Sequence, residues 1–276
     1  MSSILAAYLS ARLLELVPTP FPRLAIVALD VLSALAFALA HGSRQVGWRG
    51  IAVFTLICTA VGNTVENVGV ATGFPFGRYQ FVELMGPKLL HVPVLLGLAY
   101  IGMAWVSWSV AWLIVAGSRG RLAGRRLFAL PFAAAFVMTA WDLAQDPVWA
   151  TLLHGWTWRD GGPWFGVPVS NFLGWYGTVL LIYLLFALWL SRRAEGDAAP
   201  PGSPAPALLF YALCAGMNIL QVVPRTVPQV VQDPAGRVWH SGEITAASAM
   251  VSFFVMGAFA VFAWIRLADG KDARPE

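Results

Sequence analysis

Apolar segments of roughly 20 residues, the length that carries a helix through a ~30 Å hydrocarbon core, recur at 24–41, 50–72, 90–116, 127–150, 170–190, 206–223 and 243–266. A backbone inside lipid must satisfy its own hydrogen bonds, so a chain of this kind is restricted to a helix bundle or a closed barrel. Long runs without strand-like alternation select helices. The expected fold is therefore all-α: a polytopic membrane helix bundle of about seven spans in one domain covering 1–276. A flexible linker is expected at about 193–205 and a polar tail at 268–276. The composition agrees, since 58% hydrophobic and 12% charged residues with a mean hydropathy of +0.69 exclude an ordinary soluble domain.

The opening stretch 3–17, SILAAYLSARLLELV, is shorter, carries Arg12 and Glu15, and precedes Pro18, Pro20 and Pro22. It reads as an interfacial helix, with an eighth span as the alternative. No basic flank precedes its apolar part, so no cleavable signal is expected. Basic residues collect in alternate connections: Arg44 and Arg49, then Arg119, Arg121, Arg125 and Arg126, then Arg192 and Arg193, then Arg266, Lys271 and Arg274. The positive-inside rule places those connections in the cytoplasm, with the amino terminus outside, the carboxyl terminus inside and the chain in the cell (inner, cytoplasmic) membrane. The net charge of +4 is scattered and forms no nucleic-acid face. Cys58 and Cys214 fall inside spans as small apolar fillers, with neither metal spacing nor a disulfide framework.

Within this apolar background three acids stand out. An ionisable side chain at membrane depth costs roughly 2.5–3.5 kcal/mol on insertion scales and marks a functional site by default. Span two ends in GNTVENVGVATGFPFGRY, where Asn63, Glu66 and Asn67 share one helical face. Span four ends in WDLAQDPVW, which stacks Asp142 and Asp146 one turn apart between Trp141 and Trp149. Two carboxyl groups so close resist joint ionisation, and apolar surroundings act the same way, so one is expected to keep a proton it can donate. Span five starts from the same side at Asn171. His91, Asn218, Gln221 and Glu243 lie at similar depth.

Structural roles compete with each of these readings. Asp146, beside Pro147, suits a helix-end cap or a partner of a loop arginine. Glu66 suits a pair with Arg78 or a hydrogen bond to Asn171, and His91 an interfacial hydrogen bond. Asp30 lacks polar neighbours at helical spacing, and Glu243 suits a first helical turn; both stay outside the expected site. The tryptophans at 141, 149, 156, 158, 164 and 175 serve as interface anchors or as walls of a pocket for a cation or a flat conjugated ligand. The loop HGWTWRDGGPWFGVPVSNF reads as an ordered, re-entrant or lid-like structure, because irregular backbone near lipid persists only against protein or a cavity. No GxGxxG, Walker, HExxH or CxxC pattern occurs in a fitting context.

Three ordered strings, ENVGVATGFPFGRYQF, WDLAQDPVW and WTWRDGGPWFGVPVSNFLGWY, resemble the membrane-bound carotenoid biosynthesis family of CruF-type carotenoid 1,2-hydratases and archaeal bisanhydrobacterioruberin hydratases. The resemblance covers residues 60–176 closely. The matched positions are Glu66, Gly73, Pro75, Gly77, Tyr79, Asp142, Asp146, Pro147, Pro168, Asn171 and Trp175. It implies a hydro-lyase that adds water across the terminal C1,C2 double bond of an acyclic carotenoid end group of the lycopene, gamma-carotene or bacterioruberin-precursor type. It further implies no organic cofactor or metal, a carotenoid and the lipid bilayer as partners, and functional coupling to a carotenoid glycosyltransferase.

Such a hydration needs an acid to protonate C2, an aromatic pocket for the tertiary cation, and a positioned water with a base. The expected division makes Asp142 or Glu66 the acid and the other the group that orients water, with Asp146 coupled to Asp142. Asn63, Arg78, Tyr79, His91, Asn171, Trp141 and Trp175 are expected to position water or substrate. The alternatives are a lycopene-type cyclase or isomerase, which quenches the same cation internally, a proton-coupled small transporter, and a noncatalytic carotenoid-binding subunit.

Overall fold

The computed structural model describes residues 1–117, 122–193, 203–223 and 229–272. Arg119, Arg121, Arg274 and most of the 193–205 linker lie outside the described residues. The described residues form eight α-helices: α1 (Ser2–Glu15), α2 (Arg23–Thr72), α3 (Val94–Ala116), α4 (Arg126–Pro147), α5 (Val169–Ser191), α6 (Ala205–Leu220), α7 (Ser241–Val251) and α8 (Gly257–Asp272). A π-helical segment, Val148–Leu152, extends α4, and another, Ser252–Met256, joins α7 to α8. Among the described residues five helical stretches are long and apolar enough to cross a membrane, namely α2, α3, α4 with its extension (Arg126–Leu152), α5, and α7 through α8 (Ser241–Asp269), and Ala205–Leu220 is apolar but shorter.

The seven expected apolar segments are all helical, but two of them form one 50-residue element. Within α2, Gly47 has φ 73° and ψ 166°, a conformation open to glycine at little steric cost. The chain folds back there. A Cβ on Gly42 would meet the Ile51 side chain, and Ala34 and Gly62, on opposite sides of the break, both lie against the 100–102 level of α3. The spans expected at 24–41 and 50–72 are thus the two arms of a helical hairpin.

Helix α3 is the central post. Its residues 100–111 are buried without interruption, as expected of a helix that is apolar all round, and α2, α4, α6 and α8 pack about it. Trp105 meets Phe54 edge-on at 5.2 Å between centroids, and its Nε1 donates to His41 Nδ1 at 3.0 Å. Tyr183 donates to the Ala104 carbonyl at 3.0 Å, which ties α5 to the same post.

Helix α1 is joined to the bundle through its side chains. It packs on α2 and α6, with the Tyr8 and Phe210 rings 4.2 Å apart, and Arg12 is only 3% exposed. The apolar face of the helix draws its cation into the bundle because Glu15 and Asn218 are there to receive it, at 2.9 and 2.8 Å.

Short strands order the connections: β1 (Tyr79–Phe81), β2 (Lys88–Leu89), β3 (Val92–Pro93), β4 (Trp156–Trp158), β5 (Val230–Gln232) and β6 (Val238–His240). Strand β1 pairs antiparallel with β4, in register Tyr79 to Trp158 and Phe81 to Trp156. The tryptophan-rich loop expected to be ordered is therefore ordered by the segment leaving α2.

Candidate active site

The three acids come from two helices and meet in one region. Glu66 is 3% exposed, and each of its oxygens accepts a phenol hydrogen bond, from Tyr79 at 2.5 Å and from Tyr100 at 2.7 Å. Burial first, and then the Glu66 carboxylate, hold the Tyr79 phenol well above its ordinary titration range, so it acts as a donor. Gly69, one turn on from Glu66, lets the loop close over it; a Cβ there would stand 2.6 Å from Phe76 Cδ2 and 3.0 Å from Tyr79 Oη.

Asp146 is 2% exposed and equally engaged. Trp156 Nε1 donates to its Oδ1 at 2.7 Å, and the Asn171 amide donates to Oδ2. The end of α4, strand β4 and the start of α5 are pinned together at this carboxyl group. Pro147 contributes by withholding a backbone N–H from the ladder, and the helix widens into its π-helical segment directly afterwards.

Asp142 differs from both. It is 4% exposed, yet its Oδ2 is buried with no hydrogen-bond partner. It lines a cleft enclosing about 780 Å³, open mouth included. Apolar residues of α2 and α3, among them Val31, Leu96 and Met103, form part of its wall, and Trp141, Trp149, Trp156 and Trp175 supply aromatic surface. Trp149 and Trp156 are stacked at 6.0 Å, and Trp175 stacks on Tyr100 at 4.3 Å. A second, smaller hollow of about 270 Å³ holds Glu66, Tyr79 and Asn171. Leu96, Asp146, Trp156 and Trp175 border both spaces.

Of the positions expected in the site, Glu66, Tyr79, Asp142, Asp146, Asn171, Trp141 and Trp175 are brought together. Three are not. Arg78 is exposed and paired through two hydrogen bonds with Asp160, not with Glu66, because the β1–β4 pairing turns alternate side chains outward. That pairing holds the Asp160 carboxyl below its ordinary range. His91 is exposed, its backbone N–H donating to Asn67 Oδ1 at 3.0 Å in the turn before β3. Asn63 is half-buried against Gly97 and borders neither space. The alternative bond from Asn171 to Glu66 is also absent, since Asn171 serves Asp146.

Residues outside the expected set complete the cleft. Tyr100, in the apolar run of α3, carries the second donor to Glu66. Arg12, Asp30 and Gln145 line the cleft with Asp142. Among the described residues no group of three or more His, Cys, Asp or Glu side chains is placed to hold a metal ion. The arrangement offers a buried, unpartnered carboxyl group beside aromatic faces, with two further carboxyl groups fixed behind it.

A family profile described as carotenoid biosynthesis protein matches residues 25–231. Bisanhydrobacterioruberin hydratase of Haloarcula japonica is 30% identical over 144 residues, which make up 52% of this chain and 46% of that protein. The chain spans about half the length of that relative. No solved structure matches it.

Proposed function

The chain belongs to the carotenoid biosynthesis protein family, and from that premise we propose that it is a membrane carotenoid 1,2-hydratase. The reaction adds water across the terminal C1,C2 double bond of an acyclic carotenoid and leaves a tertiary alcohol at C1. The observation that carries this reading is the Asp142 carboxyl group, buried and unpartnered against a tryptophan-lined cleft.

Protonation of C2 by the Asp142 carboxyl O–H forms the C2–H bond and leaves a tertiary cation at C1. The faces of Trp141, Trp149, Trp156 and Trp175 stabilise that charge through their ring quadrupoles and pack along the flat polyene. Water then forms the C1–O bond and gives up one proton. Hydrogen bonding favours Asp142 over Glu66 as the acid, because both Glu66 oxygens are already engaged by Tyr79 and Tyr100. Asp146, fixed by Trp156 and Asn171, then acts on the proton balance of its neighbour.

In this reading the chain sits in the cytoplasmic membrane with its amino terminus outside, an orientation that the distribution of basic connections supports under the positive-inside rule. A carotenoid enters from the bilayer, and the alcohol is available to a carotenoid glycosyltransferase. Expression in a lycopene-accumulating host, followed by mass analysis of the pigments, tests the activity. A product heavier by one water is expected. A product of unchanged mass supports the cyclase or isomerase reading instead, and unaltered lycopene counts against both on that substrate.

A further inference from the structure

The cleft that Asp142 faces has a second polar end, built where the sequence showed only an isolated acid. Asp30, in the first arm of α2, and Arg12, on α1, both line it. Arg12 Nη2 donates to Asn218 Oδ1 at 2.8 Å, and Gln145 Nε2 donates to the same oxygen at 2.8 Å. Gln145 stands three residues after Asp142, hence on the same face of α4. A continuous polar chain thus runs from Arg12 through Asn218 to the residue beside the acid.

Four residues lining the cleft each keep a buried atom without a partner: Arg12 Nε, Asp30 Oδ1, Gln145 Oε1 and Asp142 Oδ2. Buried polar groups left unpaired in a native fold call for a specific explanation. One donor and several acceptors around one cavity match the needs of a water molecule, which both donates and accepts. Arg12 and Gln145 are 3% and 4% exposed, so their free valences cannot be met from bulk solvent. Neither Glu66 nor Asp146 has an oxygen free for the same task.

We propose that Asp30, which lines the cleft together with Arg12, is the base that takes the proton from the attacking water, and that Gln145 orients that water. This rests on the hydration reading. In atoms, the Asp142 O–H bond breaks as the C2–H bond forms from the alkene pair. A lone pair of the water then makes the C1–O bond, and one of its O–H bonds breaks toward the Asp30 carboxylate. The proton returns from Asp30 to Asp142 through the water-filled cleft. Both groups are restored, and the sum is alkene plus water. Among the described residues that line the cleft Arg12 is the one cation, ion-paired with Glu15, and the tryptophans attend the carbocation.

The experiment uses the full chain in membranes, supplied with an acyclic carotenoid that the parent hydrates, in D2O. Asp30→Asn is expected to lower alcohol formation at least about 100-fold, the scale of a lost acid or base. Recovered substrate should nevertheless gain deuterium in its terminal group, because Asp142 still delivers a deuteron and takes a proton back. Asp142→Asn should lose alcohol and label together. Asp30→Glu, which keeps the charge in the cleft, should recover alcohol and guards against an Asn variant that fails to accumulate. Alcohol from Asp30→Asn within about threefold of the parent, or loss of label together with alcohol in both Asp30 variants, overturns the assignment. Failure of the parent itself to form alcohol from any acyclic carotenoid removes the hydration reading instead.

Discussion

The surroundings of Glu66 and of Asp142 are built from the same residue types in opposite states of completion. Glu66 has both oxygens occupied by tyrosine hydroxyls, beside a close contact of Phe76 with Gly69. Asp142 has a buried oxygen with nothing bonded to it, facing a cleft three times as large by volume. A buried carboxyl group with its hydrogen bonds made holds helices in place, whereas one left unmade is available to what enters the cavity. Burial alone does not distinguish the two, since both residues are under 5% exposed.

The comparison breaks most visibly at Asp142. Replacing it with Asn is expected to cut hydration at least about 100-fold with the thermal unfolding midpoint close to the parent's; a large fall in that midpoint would show that Asp142 holds the fold instead. The converse holds for Tyr100→Phe, which strands one Glu66 oxygen, and for Gly69→Ala, which forces a methyl against Phe76. Each should cost about 1–3 kcal/mol of stability, read by denaturant unfolding in detergent, with activity per folded molecule largely retained.

Filling the open side sharpens the contrast further. Ala99 lines the cleft, and Ala99→Leu, which adds three carbons, is expected to lower activity at least about tenfold, the low end of what a single carbon too many costs in an apolar pocket, without a loss of unfolding midpoint. The smallest effect belongs to Arg78→Ala, which removes an exposed ion pair and should leave activity within about twofold of the parent in a membrane assay. Asp160 is held below its ordinary range by that pair. Its contribution is therefore complete above the unfolded carboxylate range, fades as the pH falls through the folded value, and weakens with salt.

Glu66, Asp142 and Asp146 were legible in the sequence because acids are costly in apolar runs and helical spacing fixes which of them share a face. The helix bundle was legible for the same reason. Arg12 and Asp30 were not, and Asn218 was legible by its depth alone, since it is 206 positions from Arg12 and periodicity within one helix carries no information about such a partner. Tyr100 was hidden by its ring, which reads as one more apolar residue in α3 until its hydroxyl is seen on Glu66. Arg78 and His91 sit next to site residues in the chain but face solvent, an orientation set by strand pairing and a turn. Gly47 lies between two apolar runs, and the tight return it makes is a matter of one backbone angle.

The ladder between β1 and β4 joins Tyr79, the donor to Glu66, to the strand carrying Trp156, the donor to Asp146. Three rungs therefore couple the clamps of two acids that belong to different helices. Evolution or engineering that shifts either loop retunes both clamps together, so adjustment of the reacting end independent of this ladder has to come from the wall formed by α1 and the first arm of α2, which reaches Gln145 through Asn218 instead.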